Sequence, residues 1–370
     1  MTSPKMSLRC AALRSSLALV LSAAWLLSAS CSRPADRTRV RYGITPYQDS
    51  ALPVVAGQLG WYSNAKIDVQ FVPVAWGDVV LSLSGGTIDA CVYTINAFEP
   101  PYESAAQGAV KPVFYAPIYV FNGTAIMVHG KAGLKPLGDL ASIPPAQRDA
   151  SIKSAAAQLR GKRIAVTKGT EYEQIVVTAL QRAGLNPDKD VTLIHSSVDD
   201  ALSAFLSGNI DAFGAGLTER VEARRRGGVE LLTAGDLGQP SINGIVTTEK
   251  FASEHRETLD EIVRLWFRTI QFMETDLKGN SRYVLDYLAG KASTRYTPDQ
   301  YVVAWSFDVF PKNEMEAWNL FENESSPYYW QNTWKQTNDF LLAQKQIKTP
   351  VPTAAYLGTS VLSRLTGRSK

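Results

Sequence analysis

The chain has 370 residues, 45% hydrophobic and 20% charged, an ordinary globular composition with room for two or three domains. Its formal charge is +3, and Lys5, Arg9 and Arg14, all within the first thirty residues, account for the whole of it. The remainder is neutral, which excludes the basic footprint that nucleic-acid binding requires.

In chain order, the first feature is a basic start followed by the apolar run SSLALVLSAAWLLSA, Ser15 to Ala29. The run is shorter than the roughly 20 residues a spanning helix needs. Residues 1–30 therefore read as a secretory signal. The signal ends LLSASC, and small residues directly before Cys31 resemble the lipobox of bacterial lipoproteins. That resemblance implies cleavage before Cys31 and a diacylglyceryl group on its thiol, anchoring the protein to a membrane from the periplasmic or cell-surface side. The large aliphatic residue usual three places before the cysteine is here Ser28, and plain secretion to the periplasm is the alternative. Residues 31–38 read as a polar tether. Cys10 leaves with the signal, and Cys91 sits in an apolar strand pattern as a small core residue with no disulfide partner.

The body of the chain then repeats itself. Shifted by 122 positions, IDVQFVPVAWGDVVLSLSGGTIDA (67–90) lies ungapped over KDVTLIHSSVDDALSAFLSGNIDA (189–212), and RYGIT (41–45) lies over RIAVT (163–167). Both copies read strand, loop, helix, strand, loop, helix, strand. VRYGI and RIAVT are short β-rich runs. LPVVAGQLGWY and EQIVVTALQRAG have helical spacing and stop at Gly60 and Gly184. The next helices begin near Asp78 and Asp200 and run out at Gly86 and Gly208, where Ile-Asp-Ala opens the last strand. Alternation of this kind predicts α/β lobes, each with a mostly parallel sheet covered by helices.

The expected organisation is lobe one from residues 39–120 and 248–348, lobe two from 121–247, and a loosely ordered tail over 349–370. The first crossing falls at Asn122-Gly123, and the chain returns through SINGIVTT, 241–248. Residues 141–157 have no counterpart in the first copy and read as a surface insertion with an Ala-rich helix. The helices after residue 255 are rich in Trp and Tyr, which reads as core.

Open parallel sheets bind ligands beyond the carboxyl ends of their strands, so two such lobes imply an interlobe cleft. An exported two-lobed α/β chain resembles the solute-binding proteins of ABC importers, with the periplasmic-binding-protein type II fold. GITPYQDSALPVVAGQLGWY, the repeated Gly-x-Ile-Asp phrase, and LGDL with LRGKRIAVTKGTEYE resemble the nitrate, taurine and alkanesulfonate branch, which includes thiamine-precursor binders. The resemblance covers roughly residues 39–275. It implies capture of a small nitrogen- or sulfur-containing solute by lobe closure, delivery to a permease with its ATPase, a monomeric state, and no cofactor or metal.

Carried over position by position, the family's binding loops fall on Tyr47, Gln48, Asp49 and Ser50 after the first strand, Trp76 and Gly77 after the second, and Thr94 and Asn96 after the third. In lobe two they fall on Gly169, Thr170, Glu171 and Tyr172, then Ser197, then Gly216, Thr218 and Glu219, with Asn122 at the crossing. Asp49, Glu171 and Glu219 read equally as helix caps. Helix N-termini suit a sulfonate, nitrate or carboxylate, whereas three acidic residues beside Tyr47, Trp76 and Tyr172 suit an amine, amidine or nitrogen heterocycle. A thiamine-pyrimidine-synthase-like enzyme shares the fold but carries a cysteine-rich motif, and this chain offers only Cys91 near the matching strand. His129, His195 and His255 are scattered without metal spacing. A ligand-sensing subunit of a receptor is the other alternative.

Overall fold

The computed structural model describes residues 37–108, 110–138, 142–291 and 296–368. Residues 1–36, which include the expected signal, Cys31 and most of the expected tether, lie outside the described residues. Among those described, no helix is long and apolar enough to cross a membrane.

Among the described residues, eleven strands build two sheets. They are β1 (Thr38–Ile44), β2 (Ile67–Pro73), β3 (Ala90–Thr94), β4 (Pro112–Phe121), β5 (Ala125–His129), β6 (Arg163–Val166), β7 (Thr192–His195), β8 (Ala212–Ala215), β9 (Gly228–Thr233), β10 (Ser241–Thr248) and β11 (Asp308–Val309). The first sheet runs β2-β1-β3-β10-β4-β11 and the second β7-β6-β8-β5-β9. The duplication is visible in the pairing register. Arg41 faces Gln70 and Arg163 faces Thr192; Tyr42 faces Ala90 and Ile164 faces Ala212. Each of these pairs maps on its counterpart by the same shift of 122 that aligns the sequences.

The expectation of mostly parallel sheets holds only for the duplicated strands. β10 runs antiparallel to β3 and β4, and β5 runs antiparallel to β8 and β9. The chain leaves the first sheet at Phe121 and enters the second at Ala125, so β5 lies antiparallel beside β8. The return strand fills the matching place beside β3. SINGIVTT is thus an interior strand of the first sheet, buried along its whole length, and not the connector it was expected to be. Its mixture of Ser, Asn, Gly and Thr with only Ile242, Ile245 and Val246 apolar does not read as a core strand, and neither its burial nor its direction follows from local pattern.

Helices cover both faces. Ile126, Ile164, Ile175, Val176 and Leu180 pack one side of the second sheet, while Met127, Phe205 and Phe213 pack the other. The Ala-rich helix Pro145–Ala157 belongs to the first of these cores through Ile152, Ala155 and Ala156. The aromatic helices after residue 255 close the core of lobe one, where Trp334, Tyr301 and Phe321 are fully buried. Cys91 is buried there too. The segment after Ile347 is no loose tail. Gly358–Thr366 is a helix with Val361 and Leu362 buried, and Leu357 N–H donates to the Phe114 carbonyl at 2.8 Å. Arg364 then reaches Asp260 at 2.7 Å. Tyr356 stacks on Trp330 with ring centroids 3.7 Å apart, which ties this end to the lobe-one core. Val361, Leu362 and Leu365 recur at helical spacing and give this short helix the apolar face that it buries.

Candidate functional site

The carboxyl ends of the duplicated strands converge on one cavity between the lobes. It is narrow, with ≈ 20 Å³ open to the centre of a water-sized molecule, and is lined by Tyr47, Gln48, Asp49, Trp76, Thr94, Phe121, Glu171, Tyr172, Gly216, Leu217, Ser241 and Asn243. Eight of these twelve were expected from the sequence. Each sits where a parallel strand hands over to a loop, the position at which α/β sheets leave room for ligands.

Local chemistry shapes each loop. After β1, the Thr45 and Ser50 hydroxyls lie 2.6 Å apart and fold the turn back on itself. Asp49 then accepts from the Ser50 N–H and from the Tyr119 hydroxyl, both at 2.8 Å. After β2, Trp76 opens a single helical turn and meets Tyr47 edge-on at 5.4 Å and Tyr93 at 4.6 Å. After β6, Gly169 turns the chain at φ +72, and Thr170 caps the helix Glu171–Arg182 by accepting from the Tyr172 N–H at 3.3 Å. After β8, Gly216 precedes the helix Leu217–Arg225. Its hydrogen is needed for space: a Cβ there would stand 2.7 Å from the Tyr172 hydroxyl and 2.9 Å from Glu219 Oε2.

The electrostatics are those of buried acids. Glu171 and Glu219 are 6% and 1% exposed, and one oxygen of each, Oε2, has no hydrogen-bond partner. Burial pushes the Glu171 carboxyl up to about 7, and the nearby Asp49 and Glu219 charges push the same way. Burial likewise pushes Glu219 up to about 7, opposed by its backbone N–H contacts at the helix start. Asp49 is raised by burial, against the pull of the Tyr119 and Ser50 hydrogen bonds. No Lys or Arg lines the cavity. The buried Arg220 lies on the same helix as Glu219 but donates to the Gly123 carbonyl and to Glu230 at 3.1 Å, with its guanidinium 4.9 Å from the Phe307 ring.

The other expected residues serve different ends. Asn96 donates at 2.6 Å to Gln174 across the cleft and at 3.1 Å to Thr337. Thr218 accepts from the Tyr296 hydroxyl at 3.1 Å and reaches Gln48 at 3.5 Å. Gly169 N–H donates to Glu173, which also accepts from Gln346 at 2.6 Å and pairs with His195 at 2.8 Å. Of these, Asn96–Gln174, Thr218–Tyr296, Thr218–Gln48 and Glu173–Gln346 link the two lobes. Ser50 is spent inside its own turn, and Asn122 N–H donates to the Phe307 carbonyl at the crossing. Gly77 is exposed and carries no side chain toward the cavity. Ser197 is exposed as well, capping its helix through Asp200 at 3.1 Å.

Phe121, Leu217, Ser241 and Asn243 were missed. Three of them belong to β4 and β10, where Ser241 pairs with Phe121 and Asn243 with Thr94. The antiparallel return strand starts where β3 ends, so its first residues face the cavity. Only the sheet order reveals this. Among the described residues, no group of three or more His, Cys, Asp or Glu could hold a metal ion.

Comparison with known proteins fits this geometry. The model of the NMT1-like family matches residues 33–289. Solved structures sharing the fold include the alkanesulfonate-binding protein SsuA from Xanthomonas axonopodis pv. citri, bound to MOPS (18% identity, 87% of this chain and 99% of that one, TM-score 0.63). The periplasmic aliphatic sulphonate binding protein SsuA from Escherichia coli aligns at 16% identity over 86% of this chain and 91% of that one, TM-score 0.62. The periplasmic nitrate-binding protein NrtA from Synechocystis PCC 6803 aligns at 14% identity over 89% and 99%, TM-score 0.54. A curated relative, the nitrate import ATP-binding protein NrtC from Synechococcus elongatus, is 27% identical over 205 residues, or 54% of this chain. The match spans 29% of that relative's length. The fold is therefore that of the two-lobed type II periplasmic binding proteins.

Proposed function

This chain belongs to the NMT1-like family, and from that membership we propose that it is an extracytoplasmic solute-binding lipoprotein of an ABC importer. It captures a small nitrogen- or sulfur-containing organic solute by lobe closure and delivers it to a permease and its ATPase. One observation carries this reading: residues from both sheets, nearly all buried, enclose a single cavity at the carboxyl ends of the duplicated strands. A solute enters such a cavity only when the lobes part. Ligand that binds the closed form better than the open one shifts the population toward closure. A shift from 1:99 to 99:1 needs about 5.5 kcal/mol of differential affinity. The closed, loaded surface is then what a permease distinguishes from the empty form.

The binding role is favoured over catalysis by the lining itself. It offers no Cys, no His and no nucleophile paired with a base. The membrane anchor rests on Cys31 and the signal before it.

Thermal-shift screening of the protein lacking residues 1–30 against sulfonates, nitrate, amines, carboxylates and pyrimidines tests the reading. A true solute raises the midpoint, by a few kcal/mol of stabilisation at concentrations far above its dissociation constant. It also contracts the particle in small-angle scattering. Substituting Cys31→Ala in the full chain moves the protein from the membrane to the soluble fraction. No shift from any class, with an unchanged scattering curve, sinks the proposal.

A further inference from the structure

Resting on the solute-binding reading above, we propose that the cavity selects an organic cation, a protonated amine or amidinium seated between Glu171 and Glu219 against the Trp76 face, and rejects nitrate and sulfonate. The argument starts from what the cavity lacks. An anion pocket needs positive charge or a fan of free donors. Here no cation lines the wall, and Arg220 is consumed by Glu230, the Gly123 carbonyl and the Phe307 ring.

Two helix N-termini do face the cavity, at Glu171–Arg182 and Leu217–Arg225, and either would suit an anion by its dipole. Both are already occupied. Glu171 and Glu219 place their own carboxyls in those first turns, each held by a backbone N–H. A second anion would have to sit beside them in a site shut off from water, where like charges repel strongly.

What remains free points the other way. Glu219 Oε2 is a buried acceptor without a hydrogen-bond partner, and Glu171 Oε2, also unpaired by geometry, has only the pull of the equally unpaired Trp76 indole N–H. Glu171 lines the cavity, and Glu219 Oε2 borders it at Gly216. A buried acceptor without a partner is costly, and a ligand N–H would satisfy it. The half-buried Trp76 and the ring of Tyr47 supply aromatic faces of the kind that attract organic cations. Thr94, Ser241 and Asn243 at the opposite wall would hold a neutral polar end of the same molecule. A bare metal ion is disfavoured because the described residues offer no suitable ligand cluster.

Protonation gives the test its sign. Without ligand the two glutamates titrate at about 7, so a cation binds in exchange for protons. Affinity for a permanent cation therefore rises from pH 6 to pH 8, whereas affinity for an anion falls over the same range. The protein lacking its signal is titrated calorimetrically with guanidinium, benzamidine and tetramethylammonium, and with nitrate and ethanesulfonate, at pH 6, 7 and 8. The expected result is measurable binding of at least one cation, tightening several-fold toward pH 8, with the anions inert. Glu171→Gln and Glu219→Gln should each weaken that cation at least tenfold and flatten its pH dependence while the variants stay folded by circular dichroism. Anion binding that tightens toward pH 6, with the cations inert, overturns the proposal and leaves the solute-binding reading standing. Silence from every probe, together with a scattering curve that no solute alters, overturns both.

Discussion

Asp89 grips Arg41 by its backbone and its side chain at once, accepting from the peptide N–H at 2.7 Å, from Nε at 3.0 Å and from Nη2 at 2.5 Å. Asp211 does the same to Arg163, at 2.8, 3.2 and 3.0 Å. Each arginine also reaches the carbonyl of the glycine that ends the preceding helix, Gly86 or Gly208. Those glycines turn at φ +68 and +77, where a side chain would be strained. The repeated phrase of glycine, one residue and Ile-Asp-Ala is thus a clasp between the first and third strands of each lobe.

The two clasps differ in exposure, and stability should report it. The Asp89 side chain is 13% exposed and Asp211 35%. Asp89→Ala is expected to cost about 2–3 kcal/mol, since it strands charged and backbone donors. Asp211→Ala should cost about 1 kcal/mol, because water and salt screen the exposed pair. Urea unfolding midpoints of the two variants decide it, and equal losses would contradict the burial argument.

Ligand-free stability should fall as pH rises between about 4.5 and about 7. Glu171 and Glu219 titrate at about 7 when folded, against an ordinary 4.5. Over that window the folded protein holds more protons than the unfolded chain, so raising pH favours unfolding. The contribution is a few kcal/mol at most and is lost fully above about 7. Melting curves from pH 5 to 8 should show the decline, and Glu171→Gln with Glu219→Gln should make it shallower, the remainder coming from Glu99 and Asp308, whose carboxyls burial also raises. A slope unchanged in the double variant refutes the assignment.

Two neighbouring glycines should separate folding from binding. A Cβ at Gly216 meets only the ends of the Tyr172 and Glu219 side chains, which swing aside into the cavity. A Cβ at Gly214 would land on the Tyr172 carbonyl oxygen, which cannot move without the helix. Gly216→Ala is therefore expected to fold normally and bind solute at least tenfold more weakly. Gly214→Ala should lose about 1–3 kcal/mol of stability by overpacking. Thermal melts and calorimetry on both variants check the contrast.

The closed form should loosen when its cross-lobe hydrogen bonds are cut. Asn96→Ala removes the 2.6 Å donor to Gln174, an acceptor that water satisfies once the lobes part. About 1 kcal/mol of closure is at stake, a several-fold change in the closed-to-open ratio. Solute affinity should drop by that factor and the ligand-free particle should expand in small-angle scattering. Unchanged scattering and affinity would show that the lobes are held elsewhere.

Tyr119 offers a stricter check on Asp49. Its hydroxyl is buried and donates to Asp49 at 2.8 Å. Asp49→Ala should cost about 1–3 kcal/mol through that stranded hydroxyl, and Tyr119→Phe should largely offset the cost in the double variant. A double-mutant cycle by denaturant unfolding measures the coupling.

The sequence alone determined the duplicated strands, their helices, and the loops that follow them. These features are local: apolar period, glycine stops and first-turn acids act within a few residues, and a shift of 122 exposed their recurrence. That is why Tyr47, Asp49, Trp76, Glu171 and Tyr172, expected at the strand ends from the chain of letters, line the interlobe cavity. Sheet order was decided only in three dimensions. SINGIVTT pairs with segments more than a hundred residues away, and its direction depends on where the chain re-enters lobe one. Ser241, Asn243 and Phe121 reached the cavity by that route. The free oxygens of Glu171 and Glu219 were likewise invisible beforehand, because a hydrogen bond left unmade depends on every neighbour that packing brings near.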